Sequence, residues 1–599
     1  LIKIMKILSF NNEFVSLQGP QEKIKKIGDM IKLKKDLSVL SSDDIQKFKS
    51  SYLQFETGKK AAYTSMLDIL PNKALSNLKT LSEYHDTLLF VRAYPRDAKC
   101  YSFAKSELER IHTEVCKIYA GNSIQKKTKL SGSGIAGSSL TGSFSYELVQ
   151  WLKKTYPNDV RFDSSDQSDI FPAEILRMGL LPVETELIEK KDQTLTKWLD
   201  LAGRNSANPL QDFLGFFESM KVPIELRDYL YDSLKVFIDF DAADKKASRT
   251  FGHIHEENIF YHPSDFIKKP NLSELFLENI SAPIPLSKEK KQEYVDMARI
   301  ALCSLFRETD PVTFANADAT EVFDMGRGLR IALYYLRSNR RLALDSYVGY
   351  MAFKNGIPCA YGGGWVFRKK SKIGINIFPP YRGGESAWIF TQLLKLYHKR
   401  FHVELLEAEP YQIGKNNPEG IQSGAFWFYY RLGFRPVQDE LFELAATEWE
   451  KITSDKKYRT EAQLLRKLAN SNLRLDCKNP GKKATQNHLD AQGFGKLITN
   501  YINQAFEGNR ILAEAHFENV VIQNCPDLNS MFQSQELRHS FQLLLPVAFL
   551  LVSHSGIAEK NISLFQKWIL SKAEESEVPF IELSQKMEKY FDTVEKAMH

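Results

Sequence analysis

The run LALDSYVGYMAFKNGIPCAYGGGWVFRKKSKIGINIF, residues 342–378, holds three apolar stretches separated by two turn signals. β-Branched and aromatic residues in stretches this short predict strands. Asn355-Gly356 is the dipeptide of a type I′ hairpin, whose central residues must take positive φ. The basic RKKSK, residues 368–372, reads as a second, longer turn, so the whole is an antiparallel meander. Directly after it, PPYRGGESAWIFTQLLKLY (379–397) passes through a glycine-rich turn into an amphipathic helix. A strand VELLEAE from Val403, a loop (410–422), a helix SGAFWFYYRL (423–432) with Gly433 as its stop, and a short strand FRPV complete the segment.

On both sides the periodicity is helical. KALSNLKTLSEYHDTLLFVRAY, SYELVQWLKKTY and IELRDYLYDSLKVFIDF carry apolar residues at three- and four-residue spacing. The expected class is therefore a mixed α+β and α/β fold: a mainly helical region over 1–305, either one body or two parted by a loop near 122–145, a mixed sheet with helices over 306–440, and a helical region over 441–599. Within LSGSGIAGSSLTGSFS (130–145) a GxGxxG pattern follows a basic, polar segment and not a buried strand, so a loop is the simpler reading than a dinucleotide turn.

With 43% apolar and 26% charged residues over 599 positions, the composition is that of a folded chain and not of a disordered one. A net charge of +6, from 80 basic and 74 acidic residues, leaves no strong footprint for nucleic acid or an anionic membrane. Six singly placed cysteines suggest neither a zinc site nor a disulfide framework, and a reducing cytoplasm is expected. LIKIMKILSFNNEF at the start lacks the continuous apolar core of a secretory signal. The longest apolar run, LLLPVAFLLV (543–552), is too short for a membrane span and reads as a core helix kinked or started at Pro546.

Residues 310–440 resemble the GNAT superfamily of acyl-CoA-dependent N-acyltransferases, as a module inside a larger helical protein. The family's donor loop, [QR]xxGx[GA], aligns with Arg382, Gly383, Gly384, Glu385, Ser386 and Ala387, with Glu385 in place of the central glycine. Its terminal motif, NxxAxxxYxxxGF, aligns with Gln422, Ala425, Tyr429, Gly433 and Phe434, with Gln in place of Asn. The resemblance implies that these donor-loop residues and Gln422 bind an acyl-CoA, that an amine on a small molecule or protein is the acceptor, and that Tyr429 protonates the departing thiolate.

A helix N-terminus offers unpaired amides and the positive end of its dipole to a pyrophosphate. Glu385 brings a negative charge to that turn, where it would swing outward, cap the helix itself, or mark a different ligand. Arg382 has two roles open to it, a contact to a donor phosphate or a pair with Glu385. Tyr429 is the candidate acid and Tyr430, about 100° around the helix, its control. Glu409 at the strand end, preferred over Glu407, is the candidate base, and Asn376 a substrate-orienting side chain. Gln412, Asn416 and Asn417 are expected to form the turn or rim the acceptor pocket. His253 and His255 in FGHIHEENIFYH, with His262, lack a completing ligand, so no metal is expected. RSNRR and RKKSK read as solvated turns. The alternatives to an acyltransferase are a non-catalytic binding or scaffold protein with a degenerate module, and a transferase with an unconventional donor such as aminoacyl-tRNA.

Overall fold

The computed structural model describes residues 39–55, 60–166, 172–187, 195, 198, 209–241, 243–484 and 489–598, so the start of the chain lies outside the described residues. It is a mixed fold, 55% helix and 12% strand, and no helix among the described residues is long and apolar enough to cross a membrane. The chain divides into two compact units, Leu1–Thr87 and Leu88–His599.

In the first unit, helices Ser42–Tyr52 and Lys60–Ile69 are held by a capping box and an aromatic contact. Ser41 accepts from the Asp44 amide while the Asp44 carboxylate accepts from the Ser41 amide. Tyr52 and Tyr63, both buried, meet edge to face at 5.6 Å.

In the second unit, the region before residue 305 adds a three-stranded antiparallel sheet to the expected helices. Strands β1 (Leu140–Ser143), β2 (Val160–Ser165) and β3 (Val236–Phe240) lie in the order β1-β3-β2. The reading of IELRDYLYDSLKVFIDF as one helix needs correcting here. Its helix stops at Ser233, Lys235 takes φ +44°, and VFIDF alternates buried and half-buried residues as a strand does.

Nine strands among the described residues form the main sheet. They are β4 (Glu321–Asp324), β5 (Leu329–Tyr334), β6 (Ser346–Lys354), β7 (Ile357–Phe367), β8 (Lys370–Ile373), β9 (Asn376–Ile377), β10 (Leu405–Ala408), β11 (Arg435–Pro436) and β12 (Leu473–Asp476). The order is β11-β12-β10-β8-β7-β6-β5-β4, with β9 beside β7. The meander is present as read, and Asn355 and Gly356 turn the β6–β7 hairpin with φ of +48° and +77°. The basic turn is shorter than expected: Phe367 pairs with Lys370, so Arg368 and Lys369 alone make the bend and Lys370–Ile373 is strand.

β12 comes from the part of the chain read as wholly helical. LRLD is too short, between helices Ala462–Leu468 and Ala491–Phe506, to stand out by period, yet it pairs with both β10 and β11. Among the described strands of this sheet only β8 and β10 are parallel neighbours, with Leu405, Leu406 and Glu407 opposite Lys370, Ser371 and Lys372. The helix Ser386–Arg400 makes the crossover between them, as parallel pairing requires. Its residues Trp388–Tyr397 are all buried, and Tyr397 donates to the Val348 carbonyl at 2.6 Å. Gly364 is obligatory there, since a Cβ would stand 2.4 Å from the Tyr397 ring.

The C-terminal helices share a core with Leu344 and Phe367 of the sheet region. Pro546 lies inside the helix Gln535–Ser555, whose apolar run is buried as expected. The two basic runs are not solvated turns. Arg341 is buried and donates to the carbonyls of Leu336, Lys572 and Glu575, while Arg368 is buried against Glu588, Asp592 and Glu595. Buried guanidinium groups need such partners, and these supply them from the C-terminal helices.

Candidate functional site

β8 and β10 part company beyond the Lys372–Glu407 pair. β8 leads through Gly374 and Ile375 into β9, which turns to β7, while β10 leads into the 3-10 turn Pro410–Ile413. The fork between them is filled by side chains. Gln412 lies so close to Gly374 that a Cβ there would meet it at 2.6 Å. Tyr350 donates to the Gly374 carbonyl at 2.6 Å, and the Tyr429 hydroxyl accepts from the Ile375 amide.

Tyr429 sits on the helix Ala425–Arg431, which Gly433, at φ +96°, terminates as expected. Its ring is buried with edge-to-face contacts to Phe390 at 5.3 Å and Phe434 at 5.3 Å. Burial raises its pKa above the ordinary phenol value, and the Ile375 amide opposes only part of that. Tyr430 points elsewhere, under the Arg435 guanidinium at 4.0 Å. The helix is shorter than SGAFWFYYRL suggests. Gly424, at φ +65°, breaks it from the helix Pro418–Ser423, so Gln422 is exposed at the end of a separate element.

Glu385 neither swings outward nor caps its helix. Its side chain turns inward from the N-terminus of the Ser386 helix and makes no cap; it is fully buried. Arg327 donates to Oε1 at 2.6 Å, the Ile267 amide to Oε1 at 3.1 Å, and Lys354 to Oε2 at 2.9 Å. Lys354, also fully buried, closes the cluster by donating to the Arg327 carbonyl at 2.7 Å. Burial alone would raise the Glu385 carboxyl, but Lys354 and Arg327 outweigh it and hold the pKa below the ordinary value. Burial pulls Lys354 down to about 8 against the opposing pull of Glu385. His262, fully buried beside them, is lowered to about 3, first by burial and then by Lys354.

The outer face of the same turn is cationic. Lys268 donates to the Gly383 and Gly384 carbonyls at 2.6 Å each, and Lys268, Lys269 and Arg382 are exposed. Arg382 pairs with Glu419 at 2.8 Å and not with Glu385. Gly384 is required by the Tyr94 ring, which a Cβ would meet at 2.5 Å. Ser386 and Ala387, half-buried, form the first turn, with the Ser386 hydroxyl 3.4 Å from the Arg382 carbonyl.

The carboxylates that alternation puts on one face, Glu407 and Glu409, differ in burial and in partners, because the strand ends at Ala408. Glu409 is 45% exposed and 3.1 Å from Lys372. Glu407 is buried and accepts from Arg474 at 2.6 Å, Asn472 at 2.8 Å and Lys370 at 2.9 Å. Asn376 is exposed on β9, opposite Tyr361. Asn417 caps the helix Pro418–Ser423 through the Gly420 amide, and Asn416 takes φ +54° in the preceding turn. His253 is spent on structure, between the Phe251 carbonyl and Arg92, and is lowered to about 4 by burial and by Arg92. Among the described residues no three His, Cys, Asp or Glu side chains gather as a metal site would need.

Sequence reasoning did not find Lys354, Arg327, Tyr94 or Lys268. Lys354 left one signal: it ends a strand apolar on both faces, SYVGYMAFK, where a lysine needs a buried acid. Against protein-family profiles, curated proteins and solved structures, the chain matches none.

Proposed function

We propose that the chain is a GNAT-type acyltransferase, carrying an acyl group from acyl-CoA to an amine. The observation that supports this most is the fork: parallel β8 and β10 separate beside the N-terminus of the crossover helix, with Tyr429 and the Ile375 amide between them. An acyl thioester entering the fork would place its diphosphate near Arg382, Lys268, Lys269 and the amides of the Gly383–Ala387 turn. Glu385 no longer opposes that anion, because its charge is buried and paired with Lys354 and Arg327.

In this reading the acceptor amine attacks the thioester carbonyl directly, with Glu409 as base and Asn376 orienting the amine at the exposed edge. A phenol held protonated by burial is suited to give a proton to the departing thiolate. Gln412 would have to move aside from Gly374 for the acyl chain to enter.

The test is equilibrium binding of acetyl-CoA, with release of free CoA thiol measured over a panel of primary amines. Tyr429→Phe is expected to lower turnover about 10- to 100-fold with binding retained, and Tyr430→Phe to leave it near wild type. No binding at about millimolar acyl-CoA would sink the donor-site reading. Binding without turnover would instead favour a non-catalytic binding protein, the reading that the occupied hydroxyl of Tyr429 and the Gln412-filled fork favour.

A further inference from the structure

We propose that Cys116 and His112 form a reactive-thiol site, separate from the fork, that exchanges with small disulfides bearing both a carboxylate and an ammonium group. The helix Ala98–Ala120 places the two residues one turn apart on one face, and the Cys116 sulfur lies 3.6 Å from Nδ1 and 3.7 Å from Nε2 of the imidazole. The Ala136 carbonyl is 3.0 Å from Nδ1. A carbonyl only accepts, so Nδ1 carries the hydrogen and Nε2 is left as the proton acceptor of the ring, 3.7 Å from the thiol sulfur. This is the arrangement of a base oriented by a third group beside a nucleophile. Phe251 holds the ring from the side, edge to face at 5.6 Å.

The glycine-rich loop is built around this pair. Gly137, at φ +85°, brings its backbone so close that a Cβ would stand 2.9 Å from the Cys116 sulfur. The loop, β3 and the segment after it enclose a cavity of about 350 Å³, with both His112 and Cys116 in its lining. Its walls include Leu140 and Phe240, and it carries Asp244 and Lys245, one charge of each sign. Lys245 also lies 3.2 Å from Glu109 on the Cys116 helix, a half-exposed pair that a ligand carboxylate can replace at little cost. Among the six cysteines only Cys116 is exposed.

In the exchange, the Cys116 proton passes to His112 Nε2, the Cys116 sulfur forms a bond to one disulfide sulfur, and the old S–S bond breaks. The departing thiolate takes the proton from the imidazolium, so one disulfide and one thiol give one mixed disulfide and one thiol.

The test treats the full chain with oxidised glutathione and follows it by intact mass and peptide mapping, with iodoacetamide as a charge-neutral thiol probe. One dithiothreitol-reversible glutathione adduct on Cys116 is expected. His112→Gln should slow adduct formation about tenfold near pH 7. Lys245→Ala should slow glutathione but not iodoacetamide, and this variant keeps the test open if His112→Gln misfolds. An adduct mapped to another cysteine, or His112→Gln reacting like wild type near pH 7, overturns the activated thiol. Fast alkylation without a glutathione adduct overturns the ligand class.

Discussion

The two glycine-rich turns, residues 130–145 and 382–387, look alike as strings and differ in what the glycines do. In the first, Gly132, Gly134 and Gly137 all take positive φ, and the loop closes over His112 and Cys116. In the second, Gly383 and Gly384 have ordinary backbone angles, and Gly384 is glycine because the Tyr94 ring rests on it. One turn uses the dihedral freedom of glycine and the other its small size. Neither use is visible in the string.

The comparison is broken most forcefully at Glu385. Glu385→Ala leaves Lys354 and Arg327 without their buried acid, and should cost about 3–5 kcal/mol by denaturant titration. The double variant Glu385→Met, Lys354→Met should recover much of that loss, since an apolar pair of similar volume has no desolvation to offset. If the double variant is as unstable as the single one, the ion pair is not the fastener of this turn.

Acid separates the regions next. His262 and His253 have folded pKa values lowered to about 3 and about 4 from an ordinary 6.5, so the unfolded state binds more protons between those limits. Stability therefore falls as pH drops below about 6.5, each histidine contributing at most about 1.4 kcal/mol per pH unit. His262→Gln should flatten the curve of stability against pH from about 6.5 down to about 3. An unchanged slope would mean that His262 is protonated in the fold.

The glycines give a smaller, paired test. Gly384→Ala forces the Tyr94 ring aside and should cost about 1–3 kcal/mol. Gly137→Ala combines a positive φ with contact to Cys116 and should cost about 1–2 kcal/mol, while changing Cys116 alkylation, which Gly384→Ala leaves alone. The smallest effect belongs to Arg382→Ala, whose pair with Glu419 is more than half exposed on both sides. Its thermal stability should stay within about 0.5 kcal/mol of wild type, so a loss of acyl-CoA affinity in this variant would report on the ligand and not on the fold.

Much of the fold was legible where local chemistry decides it. Asn355-Gly356, Gly433 and the short apolar runs of β6 and β7 are local signals, and the structure follows them. What was not legible depends on distant partners. β12 is a strand because β10 and β11 offer it edges, and Arg341 and Arg368 are buried because C-terminal acids and carbonyls receive them. The candidate site divides in the same way. Tyr429 was found from motif spacing, whereas the direction of the Glu385 side chain depended on Lys354, Arg327 and Ile267, residues 31, 58 and 118 positions away.

The place of β12 also sets a clock on synthesis. β10 is complete at Ala408, but the strand that covers its free edge begins only at Leu473. At a ribosomal rate of about 5–20 residues per second, that interval lasts about 3–13 s. Throughout it, the nascent chain carries an open β edge with an unpaired row of amides and carbonyls. Glu404 and Glu407 beside that edge then serve as guards against pairing with a neighbouring chain before Lys478 and Arg474 receive them in the finished sheet.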